Sequence, residues 1–126
     1  MQTYTDYVDV TADVISDLSS KLRRLRLAGV SDVIVDPGFG FSKTTEQNFE
    51  MMKNLDAFDA IGCPVLVGIS RKSMITKTLG VAPSDALAGT IALNTLALTR
   101  GAAFLRVHDV REAAQALKLY ELSTSL

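Results

Sequence analysis

Three short runs constrain what this chain can fold into: "DVIVDPG" (32–38), "PVLVGIS" (64–70) and "AAFLRVHD" (102–109). Each is continuously apolar rather than alternating, the pattern of parallel strands covered on both faces. The segments between and around them carry helical spacing. Phe49, Met52, Leu55 and Phe58 recur every third residue after the first run, and Val110, Ala113, Ala114 and Leu117 form an amphipathic stripe after the third. Ahead of the first run Ile15, Leu18, Leu22 and Leu25 repeat the pattern, with Gly29 placed as a helix C-terminal residue. The order is one helix followed by three strand–helix units, which is an α/β architecture with right-handed parallel crossovers.

Three parallel strands with four or five helices make a meagre domain. A closed (β/α)8 barrel takes roughly 250 residues. The 126 residues here open on a helix with no strand ahead of it, and no low-complexity stretch or linker divides them. The expectation is therefore one piece, 1–126, forming the C-terminal part of a (β/α)8 TIM barrel.

The bulk numbers narrow the possible partners. A formal net charge of -1 provides no global field for nucleic acid or anionic lipid, so any attraction for anions must be local. The single cysteine, Cys63, excludes an internal disulfide and reads as a small buried hydrophobe; no Cys/His cluster points to zinc. The start "MQTYTDYVDV" lacks a basic segment followed by an apolar core, so no signal peptide is expected. The apolar tract at 86–98 is interrupted by Gly, Thr and Asn and is too short for a bilayer, which takes roughly 20 residues. A cytoplasmic protein without membrane contact is expected.

Polar groups collect at the C-terminal ends of the three runs, where parallel α/β folds build their sites. The first ends in Asp36-Pro37-Gly38-Phe39-Gly40-Phe41, the second in Gly68-Ile69-Ser70-Arg71-Lys72-Ser73, and the third carries Arg106 and His108, then Asp109. Asp36 can form a turn or cap a helix. Alternatively it is a carboxylate for a heterocycle bearing amidine-like N–H donors, with glycines that let backbone approach a ligand. "GFGFSKTT" has the wrong spacing for a P-loop. Neighbours at a strand end point in opposite directions, so Lys72 is assigned to the barrel mouth and Arg71 to the surrounding structure. Arg106 and His108, two apart, are expected on one side, which suits an oxyanion or phosphate. Several cations facing one carboxylate describe a ligand both heterocyclic and anionic, with positive charge to stabilise a leaving group such as pyrophosphate.

"DPGFGFSKT", "PVLVGISRKSMI", "LAGT" and "RVHDV", in this order, closely resemble the dihydropteroate synthase family, pterin-binding barrels of folate synthesis that sulfonamides target. The resemblance runs from about residue 8 to about residue 122 and corresponds to the family's C-terminal half. It implies a transferase that joins 6-hydroxymethyl-7,8-dihydropterin pyrophosphate to p-aminobenzoate and releases pyrophosphate, with Mg2+ present. By the same resemblance Asp36 binds the pterin ring, Gly68 lines its pocket, and Lys72 contacts the pterin and helps hold p-aminobenzoate. Ser73 and Phe41 shape the p-aminobenzoate side; Arg106 stacks on the pterin and, with His108, binds pyrophosphate. Lys72, Arg106 and His108 are thereby the catalytic candidates. The family's magnesium-contacting Asn and its mobile N-terminal loops have no counterpart here, so the isolated chain is expected to be inactive, with the metal ligand in the missing half. A homodimer through the last helices is also implied. Two rivals remain. One is a methyltetrahydrofolate:corrinoid methyltransferase, which shares the pterin but handles no pyrophosphate; the other is a non-catalytic module from a degenerate barrel.

Overall fold

The structure is a computed structural model, and it describes residues 9–40 and 42–124. Helix α1 (Val10–Leu27) starts where the Asp9 carboxylate accepts from the Ala12 N–H, and it ends before Gly29, whose φ of 93° no other residue adopts cheaply. Helix α2 (Thr45–Lys53) begins with a reciprocal capping box between Thr44 and Gln47 and runs into a 3-10 helix at Leu55–Ile61. The three-residue spacing of Phe49, Met52, Leu55 and Phe58 explains that change. A spacing of three lines up side chains better on a 3-10 helix than on an α-helix, and Met52, Leu55 and Phe58 are buried.

Strand β1 (Val65–Val67) and strand β2 (Ala102–Leu105) pair in parallel, with an irregularity between Val65 and Leu66. Between them lie α3 (Ser73–Leu79), a 3-10 turn at Pro83–Asp85, and α4 (Leu87–Thr99); α5 (Val110–Thr124) follows. The first apolar run differs from the expected strand. It joins the sheet at a single parallel bridge, Val35 to Val65, where the Val35 N–H donates to the Pro64 carbonyl at 2.9 Å and the Val35 carbonyl accepts from the Leu66 N–H at 2.8 Å. The two neighbouring rungs would take their donors from Pro64 and Pro37, and neither has an N–H. The ladder therefore stops on both sides of Val35. The segment still occupies the position of a third parallel strand beside β1, in the order of a barrel arc.

The core forms where α1, α2, the first 3-10 helix, α3 and α4 close over the sheet. Phe39, Met51, Phe58, Val67, Ile69 and Met74 are wholly buried there. Helix α4 turns polar groups inward: the residues it buries are Thr90, Asn94, Ala97 and Leu98, while Leu87, Ile91, Leu93 and Leu96 stay half-exposed. Helix α5 buries no residue fully, and its stripe of Val110, Ala113, Ala114 and Leu117 faces β2 across a cleft of about 240 Å³. Cys63 is half-buried against the core, with the Arg26 guanidinium 3.8 Å from its sulfur. Among the described residues no helix is long and apolar enough to cross a membrane.

Candidate functional site

Three loops leave the C-terminal ends of the parallel segments side by side. In the first, Asp36 uses one carboxylate oxygen to accept from the Gly38 N–H at 2.8 Å, so the turn-forming role left open for it is real. The loop is braced from below by Asn48, only 2% exposed, whose Oδ1 accepts from the Gly40 N–H at 2.8 Å and whose Nδ2 donates to the Thr44 carbonyl at 3.0 Å. Phe41 lies outside the described residues.

Two lysines lean on this loop. Lys43 Nζ donates to the Gly38 carbonyl at 2.7 Å, and Lys72 Nζ donates to the Phe39 carbonyl at 2.6 Å. Gly40 is required beneath the second: at φ 92°, a Cβ there would meet Lys72 Cδ at 3.2 Å. Burial lowers the pKa of Lys72, the Arg106 charge beside it lowers it further, and Asp36 opposes both. Burial likewise lowers Lys43, with Asp36 opposing and Lys72 adding to the fall. Both lysines rest on carbonyls of the loop that Asp36 opens, and Arg106 packs against Gly68 on the neighbouring strand end.

Arg106 continues the ladder just past β2, its N–H donating to the Val67 carbonyl at 2.9 Å. Its guanidinium is packed against Gly68, where a Cβ would stand 2.8 Å from Nη2 and 3.0 Å from Nε. His108 sits two residues further on, in a bend beyond the strand, so strand alternation does not set its direction. Its N–H donates to Ser70 Oγ at 3.2 Å, and among the described residues its exposed imidazole has no hydrogen-bond partner. Ser73 opens α3 beside Lys72 and is exposed.

Arg71 and Lys72 do point apart, for a different reason from the pleat of a strand. Arg71 occupies a tight turn at φ 54° and sends its guanidinium to Asp109 and the Pro83 carbonyl, while Lys72 reaches back to the first loop. Sequence reasoning overlooked Lys43, Asn48 and the partnership of Asp109. Lys43 stands in the very stretch whose spacing is wrong for a P-loop, and its adjacency to "DPGFGF" was the available signal. Among the described residues no three His, Cys, Asp or Glu side chains gather as a metal site. The arrangement instead offers clustered cations beside one carboxylate, glycine-lined backbone and an open mouth.

A family model described as a pterin binding enzyme matches residues 1–108. The dihydropteroate synthase of Escherichia coli K12 is 39% identical over 99% of this chain and 45% of its own length. A probable bifunctional folylpolyglutamate synthase/dihydropteroate synthase of Haloferax volcanii is 45% identical over 90% of this chain and 14% of its own. The crystal structure of dihydropteroate synthase from Thermus thermophilus in complex with 6HMPPP superposes with a TM-score of 0.90 at 43% identity, covering 94% of this chain and 47% of that one. The chain thus spans less than half the length of these relatives.

Proposed function

The chain belongs to the pterin-binding enzyme family, whose model it matches over residues 1–108, and from that premise we propose that it forms the C-terminal half of a dihydropteroate synthase. In the complete enzyme, 6-hydroxymethyl-7,8-dihydropterin pyrophosphate condenses with p-aminobenzoate to give 7,8-dihydropteroate and pyrophosphate. The observation that carries this reading is the placement of Lys72 on the Phe39 carbonyl of the Asp36 loop, with Arg106 packed against Gly68 on the neighbouring strand end. The names of the relatives support the same choice, including a structure in complex with 4-aminobenzoate.

Asp36 accepts hydrogen bonds from the pterin's amidine-like edge. Lys72 leaves the Phe39 carbonyl to donate to the pterin and to the side on which p-aminobenzoate enters, beside Ser73. The Arg106 guanidinium, packed against Gly68, stacks on the pterin; with His108 it receives the pyrophosphate. Positive charge held there is worth more in the transition state than in the ground state, because the bridging oxygen gains charge as its bond to the pterin methylene breaks. Magnesium, when bound, adds charge neutralisation at the pyrophosphate; its ligands would come from segments of the complete protein outside this chain. Sulfonamides would compete where p-aminobenzoate sits. The complete protein is proposed to be a cytoplasmic homodimer joined through its last helices, and the isolated chain to be catalytically inactive.

Isothermal titration tests the reading. The pterin pyrophosphate should bind the complete enzyme more tightly than the same pterin carrying a free hydroxymethyl group. Equal affinities would remove the pyrophosphate role and favour a pterin barrel of another chemistry.

A further inference from the structure

Arg71 and Asp109 are absent from the ligand-facing group, yet they make a two-pronged, largely buried ion pair. Arg71 Nη2 donates to Asp109 Oδ1 at 2.9 Å and Nε donates to Oδ2 at 3.2 Å, a two-pronged contact that a lysine's point charge cannot reproduce. Both side chains are only 21% exposed, so solvent screens the pair incompletely. The third guanidinium nitrogen, Nη1, donates to the Pro83 carbonyl. The Arg71 backbone N–H donates to the Oγ1 of Thr90, a buried residue of α4, at 3.1 Å.

One side chain therefore ties together the turn after β1, the 3-10 turn before α4 and the loop after β2. A second tie, His108 N–H to Ser70 Oγ, joins the same two strand-end loops one residue earlier in each. Arg71 also holds φ 54°, which costs a non-glycine residue about 1 kcal/mol or more unless neighbouring contacts enforce it. The flanking residues are the ones that face the ligand: Lys72 follows Arg71, and His108 precedes Asp109.

We propose that Arg71 and Asp109 are positioning residues, whose paired fork sets the separation between Lys72 and His108 that one pyrophosphate-bearing ligand requires. This rests on the functional reading above and deepens it. The pair acts through its neighbours and does not touch the ligand.

The test uses the complete enzyme, isotope-labelled, with Asp109→Asn, Arg71→Lys and the exchanged pair Arg71→Asp with Asp109→Arg. Each variant is titrated with inorganic pyrophosphate, and the Lys72 ammonium is followed by NMR across pH. Acting only through space, loss of the Asp109 carboxylate would lower the Lys72 pKa. Releasing the turn instead returns the ammonium to water, away from Arg106, Asp36 and Lys43, and raises it. A rise is expected in Asp109→Asn, and also in Arg71→Lys, where the charge is unchanged and the through-space effect vanishes. Pyrophosphate binding should weaken about tenfold in each, with most of that recovered in the exchanged pair. An unchanged or lowered Lys72 titration in both single variants overturns the proposal, as does an exchanged pair weaker than either. If one variant fails to fold, the other carries the measurement. If the unaltered complete enzyme binds neither inorganic pyrophosphate nor the pterin pyrophosphate, the functional reading is what has failed. The Lys72 titration then still decides the positioning.

Discussion

At the scale of single residues, the contact between Gly68 and Arg106 yields a sharp expectation. A Cβ at position 68 would stand 2.8 Å from Arg106 Nη2, and the atom it meets is the far end of a flexible side chain. Gly68→Ala should therefore fold with little change in melting temperature while displacing the guanidinium, and the complete enzyme should lose affinity for the pterin pyrophosphate. An unchanged affinity would show that the guanidinium is not held where it matters. Arg106→Ala should weaken the pyrophosphate-bearing substrate by about 1.5–3 kcal/mol, roughly tenfold to a hundredfold, the worth of a charge-assisted contact. Its effect on p-aminobenzoate should be much smaller; equal losses for the two substrates in titrations would rule the assignment out. Lys72 carries a pH signature. Its pKa in the fold lies below the ordinary 10.5, so it loses its charge earlier on the alkaline side than an exposed lysine does. The sign for stability follows: this contribution is present above the ordinary value and is lost as pH falls through the folded value. A lysine signal titrating at or above 10.5 would contradict the burial of Lys72.

At the scale of elements, α2 does two jobs. It is anchored by the Thr44–Gln47 capping box, and it presents Asn48 to the loop on which Lys72 rests. Thr44→Ala should cost about 1 kcal/mol in denaturant unfolding, the usual value of an N-cap, with little effect on ligand binding. Asn48→Ala leaves a Gly40 N–H without its acceptor and should cost about 1–3 kcal/mol. It should also weaken pterin binding, because the Gly38–Gly40 turn loses its brace. Comparing the two variants by unfolding and titration separates helix stability from loop positioning. The first apolar run carries a different lesson. Pro37 and Pro64 were in plain view in "DVIVDPG" and "PVLVGIS", and together they limit the ladder at Val35 to one bridge. Apolar continuity located the segment; the missing donors decided how much of it became strand.

At the scale of the whole molecule, apolar surface remains open. Ile34 is 50% exposed and Phe104 46%, on the two outer segments of the sheet, and Leu119 and Leu122 of α5 are 66% and 69% exposed. Surfaces of this kind drive association, and an unpaired strand edge adds a template for it. The chain is accordingly predicted to run as a dimer or larger species, burying more than about 1,000 Å² in total if the contact is specific. Light scattering that gives a clean monomer at micromolar concentration would refute this.

The sequence by itself determined the order of apolar runs and helices, the parallel sense of the sheet, and the loops at which glycines and charged residues gather. Those features rest on short-range spacing, on proline and glycine, and on the chirality of the chain, all local to the residues that show them. Only the tertiary structure decided that Arg71 meets Asp109, thirty-eight positions away, that Lys43 joins the mouth, and that α4 turns Thr90 and Asn94 inward. Each depends on which loops the parallel register sets side by side. A hydrogen bond between distant segments leaves no periodic trace in the sequence that makes it.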